Sequence, residues 1–238
     1  MKHYYFLILF SFLISCKSSA QKETLVSQYT FKKGSSDGIG KWYKGREIAH
    51  VMGFQGINWL ERDNREEEEN STTLLKNMNI KATDHIADIG AGSGYHVFQM
   101  APIASQGMIY AVDIQDEMLA AIKDGKDMSK IDNITLIKGS EQNVNLPENT
   151  LDKVLMVDVY HEFNFPREML LSIKQSLKAN GSIYLIEYRA EDPNVPIKGL
   201  HKMSEKQAVK EMKAVGMKLE RNIENLPWQH CMVFVKED

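Results

Sequence analysis

A glycine-rich bend lies between two apolar runs, and the spacing around it leaves few folds open. Residues 88–94 read Asp88, Ile89, Gly90, Ala91, Gly92, Ser93, Gly94, and twenty-five positions after Asp88 the apolar run from Ile109 to Val112 ends on Asp113. A buried strand, a glycine turn that opens a helix, and a second strand ending in a carboxylate make the nucleotide end of a doubly wound α/β sheet. The pattern predicts an adenosyl ligand held against the bend.

The glycine spacing narrows the choice of ligand. A dinucleotide pyrophosphate asks for a third small residue one place beyond Gly94, where helix and strand pack closely, and that place holds Tyr95. No lysine follows as in a phosphate-cradling loop. A nicotinamide-dependent oxidoreductase is therefore disfavoured. The chain downstream agrees with a parallel sheet. Leu151 to Val159 is a short apolar run carrying Asp158 near its end, and Gly181 to Tyr188 is another. Helical periods separate them: Met118, Leu119 and Ile122 share one face after Asp116 and Glu117, and Met169, Leu170, Ile173 and Leu177 share one face after Pro166, with Asn180 and Gly181 as the stop. Strands alternating with helices favour right-handed crossovers within one sheet. Ser204 reads as an N-cap with Gln207 as its reciprocal partner, opening a helix that ends near Gly216. Met217 to Glu224 and His230 to Lys236 flank a turn with Pro227 and form a hairpin.

The acid followed by GxGxG, together with Asp113, resembles the cofactor loop of class I S-adenosylmethionine-dependent methyltransferases. The resemblance covers about residues 80 to 236. It implies a Rossmann-like, doubly wound, seven-stranded sheet of order 3-2-1-4-5-7-6 with strand 7 antiparallel, and S-adenosyl-L-methionine as cofactor. It places Asp88, Gly90, Ala91, Gly92 and Gly94 at the cofactor's amino-acid end, Asp113 on the ribose hydroxyls with Ile114 beside it, and Asp158 near the transferable methyl. After the third core strand, Ile134 to Lys138, the family usually offers an Asp to the adenine; Ser140 stands in that place here and Glu141 follows it. The longer arrangement, from GREIAHVMGFQGINWLERDNREEEE through VDVYHEF and EYRAEDPNVPIKGLHKMS to PWQH, is similar to an uncharacterised group of bacterial methyltransferases. The function implied is in-line methyl transfer to a small-molecule acceptor. A non-catalytic adenosyl-binding lipoprotein on the same fold is the alternative.

Composition removes other classes. The chain of 238 residues carries a formal net charge of −3, which gives no basic footprint for nucleic acid. Two cysteines, Cys16 and Cys231, are too few for a disulfide scaffold or a thiolate zinc site. Asp158, His161, Glu162, Glu187, His201 and His230 are the side chains a fold could gather around an ion, but no spaced pair such as HExxH occurs, so no metal is expected.

The N-terminal residues pose a separate question. Lys2 and His3 precede an apolar run from Tyr4 to Ile14, too short to span a bilayer and suited to a secretory signal. Leu13, Ile14, Ser15 and Cys16 resemble a bacterial lipobox, which implies lipidation of Cys16, membrane attachment and a cell-envelope location. Cleavage after Ala20, or an uncleaved N-terminus in the cytoplasm, are the other readings. Residues 1–20 are then a signal or tether, 21–79 an N-terminal helical cap, and 80–238 the catalytic domain. Within the cap, Tyr29 to Gly45 reads as loop and Ile57 to Met78 as one or two helices, with Glu66 to Glu69 a solvated face.

Transfer from a sulfonium needs an oriented nucleophile and, for a hydroxyl, thiol or carbon acid, removal of a proton. His161, after the fourth core strand, has the pKa for that work, with Tyr160 beside it and His201 on a later loop. A structural hydrogen-bonding role is the competing reading for His161. Tyr43, Trp59 and Arg62 are candidate lid or substrate contacts, and core packing is the competing reading for Trp59. Arg189, Lys198 and Lys202, around Pro193 and Pro196, are placed to hold an anionic acceptor, or are simply surface charges.

Overall fold

A computed structural model describes Met1 and residues 28–237 of the chain. The expected signal segment, with Cys16 and Ala20, lies outside the described residues. No helix among the described residues is long and apolar enough to cross a membrane.

The sheet that positions the site has seven strands: β4 (His85–Ile89), β5 (Met108–Asp113), β6 (Ile134–Lys138), β7 (Leu151–Val157), β8 (Leu177–Tyr188), β9 (Met217–Asn222) and β10 (Gln229–Lys236). Their spatial order is β6-β5-β4-β7-β8-β10-β9, which is the expected 3-2-1-4-5-7-6, and β10 runs antiparallel to both neighbours. The two apolar runs around the glycine bend pair in parallel, Ile89 opposite Val112 and Asp88 opposite Ala111.

Both faces of this sheet are buried, and the strand period sorts the core into two layers. Ala87 and Ile89 of β4, Val154 and Met156 of β7, and Ile183 and Leu185 of β8 turn to one side, against α6 (Pro166–Ser176) and α7 (Glu205–Lys213). Ile86, Leu155, Tyr184 and Ile186 turn to the other, against α3 (Ser71–Met78), α4 (Tyr95–Met100) and α5 (Asp116–Ser129). Complete burial of each Val, Leu, Ile or Met among them contributes roughly 1.5–3 kcal/mol. Asp88 alternates onto the second layer, beneath α4, and that placement sets its electrostatics.

Two boundaries differ from the sequence reading. Helix α6 ends at Ser176, and Leu177 already belongs to β8, pairing with Leu151. Its apolar period continues the helix, but burial on the sheet wins. Ser204 does cap α7, its Oγ accepting from Gln207 N at 3.2 Å. The Gln207 side chain, however, reaches forward to Glu211 Oε1 at 2.7 Å instead of back to the cap.

The N-terminal segment is mixed, not wholly helical. The stretch expected as loop, Tyr29 to Gly45, instead supplies β1 (Tyr29–Phe31) and β2 (Gly38–Tyr43), which with β3 (Arg46–Ala49) just beyond it form a three-stranded antiparallel sheet. Lys41 is buried there because its ammonium sits over the rings of Phe165 and Tyr29, at 3.3 and 4.2 Å. Three short helices follow, α1 (Ile57–Leu60), α2 (Arg65–Glu69) and α3. Asn70 joins the last two, with a left-handed backbone (φ 55°) and a side chain that accepts from Thr73 N at 3.0 Å.

Candidate active site

The glycine bend is built from backbone hydrogen bonds that a side chain would disrupt. Gly90 N and Ala91 N both donate to Val112 O, at 2.8 and 3.1 Å, which pulls the bend onto the end of β5. Gly90 has φ 73°, and a Cβ there would lie 2.4 Å from Val159 Cγ2, so only glycine fits. Asp113 closes the arrangement. Its Oδ2 accepts from Gly92 N at 3.0 Å and its Oδ1 from Gln115 N at 2.8 Å. Burial raises the Asp113 carboxyl above the usual range, opposed by these backbone donors.

Beyond the bend opens a cavity of about 480 Å³ at the carboxyl ends of β4, β5, β7 and β8. Gly90, Gly92, Asp113 and Ile114 form one wall, and Glu141 and Asp158 also face the cavity. His161, Glu162, Lys198 and His201 also line it, and Trp59 and Arg62 reach it from the cap. Asp88 and Ala91 line a separate small recess of about 30 Å³ with Ser93, Arg65 and His96. Gly94 has φ 87° and opens α4.

Asp158 is in a left-handed backbone conformation (φ 48°) and is half-buried at the cavity. Its Oδ2 accepts from Gln229 Nε2 at 2.5 Å, and its Oδ1 has no hydrogen-bond partner among the described residues. Burial, with Glu69 and Glu187 nearby, raises its pKa well above the ordinary carboxylate value. A buried acceptor without a donor costs about 1–3 kcal/mol, so this atom is suited to a donor brought by a ligand.

The chemical edge is the single turn Tyr160–Glu162 after β7. His161 Nδ1 donates to Glu187 Oε2 at 2.6 Å, and His161 N donates to Glu187 Oε1 at 3.2 Å. One carboxylate therefore fixes both the ring and its backbone, leaving Nε2 toward the cavity, 3.1 Å from His201 Nδ1. Burial disfavours the imidazolium of His161, yet the Glu187 carboxylate outweighs it and holds the pKa above the usual histidine value. His201 shifts the other way, through burial and the neighbouring His161. Glu162 is raised by burial.

The cap braces this edge. Arg46 of β3 donates to His161 O at 2.9 Å and forms a two-point ion pair with Glu211 of α7, at 2.8 and 3.0 Å. Met52 N donates to Glu162 Oε2 at 3.1 Å, and Gln115 holds the same strap through Met52 O and Phe54 N.

Several candidate residues are placed elsewhere. Tyr160 is buried with its hydroxyl donating to Glu211 Oε2 at 2.6 Å, on the side away from the cavity. Tyr43 is fully buried against Tyr29. Arg189 is spent on Glu224 and on the carbonyls of Leu226 and Pro227, and Lys202 on Asp192 O. Lys198 reaches the rim but pairs with Asp37 at 2.7 Å. Ser140 Oγ is turned into its own loop by Asn143 N and Gln142 N, leaving Glu141, which accepts from Asn164 Nδ2 at 2.8 Å, at the cavity. Arg62 lies over the Trp59 ring and is paired with Glu68 and Glu69 at 2.7 and 2.5 Å. His230 sits with Glu191 and Glu224, away from the His161 edge.

Sequence reasoning missed Arg65 and Glu69. Arg65 pairs with Glu69 at 2.8 Å across one helical turn, lies over the Tyr95 ring and lines both cavity and recess. Glu69 also accepts from Tyr188 at 2.9 Å and is buried, unlike the exposed Glu66 and Glu67. Their i, i+4 spacing was the available signal.

Against known proteins, the Methyltransferase domain family model matches residues 80–233. The chain is 23% identical over 121 residues to "Uncharacterized methyltransferase YcgJ" of Bacillus subtilis (strain 168), covering 50% of this chain and 47% of that protein. It is 25% identical over 146 residues to the mitochondrial ubiquinone biosynthesis O-methyltransferase of Schizosaccharomyces pombe, covering 60% and 48%. The match thus spans about half the length of each of these two relatives. Among solved structures, a SAM dependent methyltransferase from Aquifex aeolicus superposes with a TM-score of 0.73 at 22% identity, over 77% of this chain and 98% of that one.

Proposed function

The chain belongs to the Methyltransferase domain family, and from that premise we propose that it transfers a methyl group from S-adenosyl-L-methionine to an uncharged small-molecule acceptor. The observation that carries the reading is the shared cavity, which Gly90 and Asp113 line together with His161, whose ring Glu187 anchors.

The residues present fit the cofactor. Gly90 leaves a cradle that a Cβ would fill, and Asp113 puts an acceptor at the wall beside it. The partnerless Asp158 Oδ1 suits a cationic or hydrogen-bonding group. Asp113 would hold the ribose, Glu141 the adenine side, and the recess of Asp88 and Arg65 the amino-acid end. The bound cofactor supplies an electrophilic methyl carbon on a sulfonium that is already a good leaving group.

The chain's own work is then to orient the acceptor and remove its proton, and orientation is the larger contribution. His161 Nε2 faces the acceptor's side of the cavity and takes the proton, its ring held by Glu187 in the tautomer with Nδ1 protonated. The cavity cations Arg62, Arg65 and Lys198 are each matched by a carboxylate. That favours an uncharged acceptor over the anionic one expected from Arg189 and Lys198.

Calorimetry with S-adenosylhomocysteine and with NAD, followed by incubation with methyl-labelled S-adenosylmethionine and a cell metabolite extract, tests the reading. Binding of the first ligand alone and label in a new small product are expected. Absence of heat with S-adenosylhomocysteine would overturn it.

A further inference from the structure

The donor atoms at the His161 edge have the spacing of metal ligands. His161 Nε2 lies 3.1 Å from His201 Nδ1, and Glu162 Oε1 lies 3.8 Å from the first nitrogen and 3.7 Å from the second. A circle through three points so spaced has a radius of about 2.1 Å, the length of a zinc bond to an imidazole nitrogen or a carboxylate oxygen. We propose that His161, Glu162 and His201 hold a divalent first-row transition metal ion, zinc best matching the donor set, with a further coordination position open to the cavity.

A hydrogen bond between the two imidazoles accounts for the 3.1 Å approach. It does not account for the carboxylate, which stands outside hydrogen-bond reach of both rings yet nearly equidistant from them. Three donors around a common centre account for all three distances. The supporting contacts are those a metal site requires. His161 gives its other ring nitrogen to Glu187, forming a carboxylate–histidine arm, and Glu162 has its second oxygen occupied by Met52 N, so Oε1 is left for the centre. The backbone of His161 is held by Glu187 and Arg46. Glu162 and Glu187 together carry two negative charges, which balance a divalent ion in a buried place.

The role of the ion, though not its binding, rests on the methyl-transfer reading. At the open position it takes an acceptor hydroxyl or thiol and lowers its pKa, as a bound zinc lowers that of water from about 16 to about 7. The acceptor's O–H or S–H bond then breaks with the proton released to solvent. The retained electron pair forms the bond to the methyl carbon, and the pair of the breaking carbon–sulfur bond stays on sulfur. His161 Nε2 is a ligand in the loaded protein, so the ion replaces it as the means of deprotonation.

Cobalt(II) is the probe, because its visible bands report coordination without any turnover. The full chain, stripped with chelator and titrated with cobalt, is expected to saturate at one ion per chain with the intense bands of a four- or five-coordinate site. His201→Gln and Glu162→Gln should each weaken binding by more than 100-fold, and Glu187→Gln by about 10–100-fold. Circular dichroism confirms that each variant is folded. No saturable binding, or binding indifferent to both His201→Gln and Glu162→Gln, overturns the site. Calorimetry with S-adenosylhomocysteine on the same samples separates the two readings: ligand heat without cobalt bands removes the metal and keeps the cofactor, and cobalt bands without ligand heat support the metal and remove the cofactor.

Discussion

Asp113 Oδ2 accepts the backbone N–H of Gly92 at 3.0 Å, so the carboxylate at the end of β5 also ties down the glycine bend that follows β4. With Gln115 N on its other oxygen, Asp113 serves two backbone donors before any ligand arrives. Asp113→Ala strips a buried N–H of its partner and should cost about 1–3 kcal/mol in urea unfolding. Affinity for S-adenosylhomocysteine should fall at least tenfold. Asp113→Asn keeps one carbonyl oxygen and should fall between wild type and alanine in both measurements; an alanine variant with unchanged affinity would detach Asp113 from the cofactor.

Gly90 carries two separate constraints. Its φ of 73° disfavours any Cβ, and Val159 Cγ2 occupies the space that a Cβ would take. Gly90→Ala should therefore lose about 1–3 kcal/mol of stability and most cofactor binding. Shortening Val159 removes the 2.4 Å contact with Cγ2, though its Cβ stays 3.1 Å away, and leaves the backbone strain. In a Val159→Ala background, the same substitution should cost measurably less than in wild type, and equal costs would show that strain alone sets the requirement.

The contrast between such positions and the rest explains what the sequence made legible. Glycines 90, 92 and 94 and Asp113 answer to backbone geometry, which is local, and the strand and helix periods around them carry the α/β alternation, whereas the strand order was implied only by the family resemblance. His161 was legible as a titratable group at the end of a strand. Tyr160 was not separable from it, because the single turn Tyr160–Glu162 decides which neighbour faces the cavity, and strand alternation does not extend through it. The sheet of residues 29–49 was hidden because Gly38, Gly40 and Lys41 are poor strand formers alone, and the ring that covers Lys41 belongs to Phe165, more than a hundred residues away. Arg189 and Lys198 show a third limit. Formal charge is visible in a sequence, but the partner that neutralises it, Glu224 or Asp37, is set by the fold.

Glu69 sharpens that last point, since it is the most deeply buried member of its acidic run. It joins Arg62 at 2.5 Å and Arg65 at 2.8 Å, and accepts from Tyr188. Glu69→Ala leaves the buried Arg65 without its carboxylate and takes one of two carboxylates from the half-buried Arg62, and should cost about 3–5 kcal/mol. Glu67→Ala, two residues away and exposed, should change stability by less than about 0.5 kcal/mol. Chemical denaturation of the two variants side by side checks this, and similar losses would return Glu69 to the solvated face.

Asp88 faces the layer beneath α4, and burial, with Asp113 adding to it and Arg65 opposing, pushes its pKa from 3.8 up to about 7. A carboxyl raised in the folded state contributes stability that is complete below its unfolded pKa and is lost as the pH rises through the folded value. The window is therefore about pH 4 to 7, and a shift of three units corresponds to roughly 4 kcal/mol at most. His96, on the same layer, works in the opposite direction: burial lowers it to about 3, so its contribution is lost as the pH falls from 6.5. The two effects partly cancel in the wild-type curve, and only the difference from an Asp88→Asn chain isolates the carboxyl. Without cofactor, wild type minus Asp88→Asn stability should fall between pH 5 and pH 8, by urea midpoints at each. A difference that stays constant, or rises, would mean that Asp88 is ionised throughout, with Arg65 close enough to outweigh its burial.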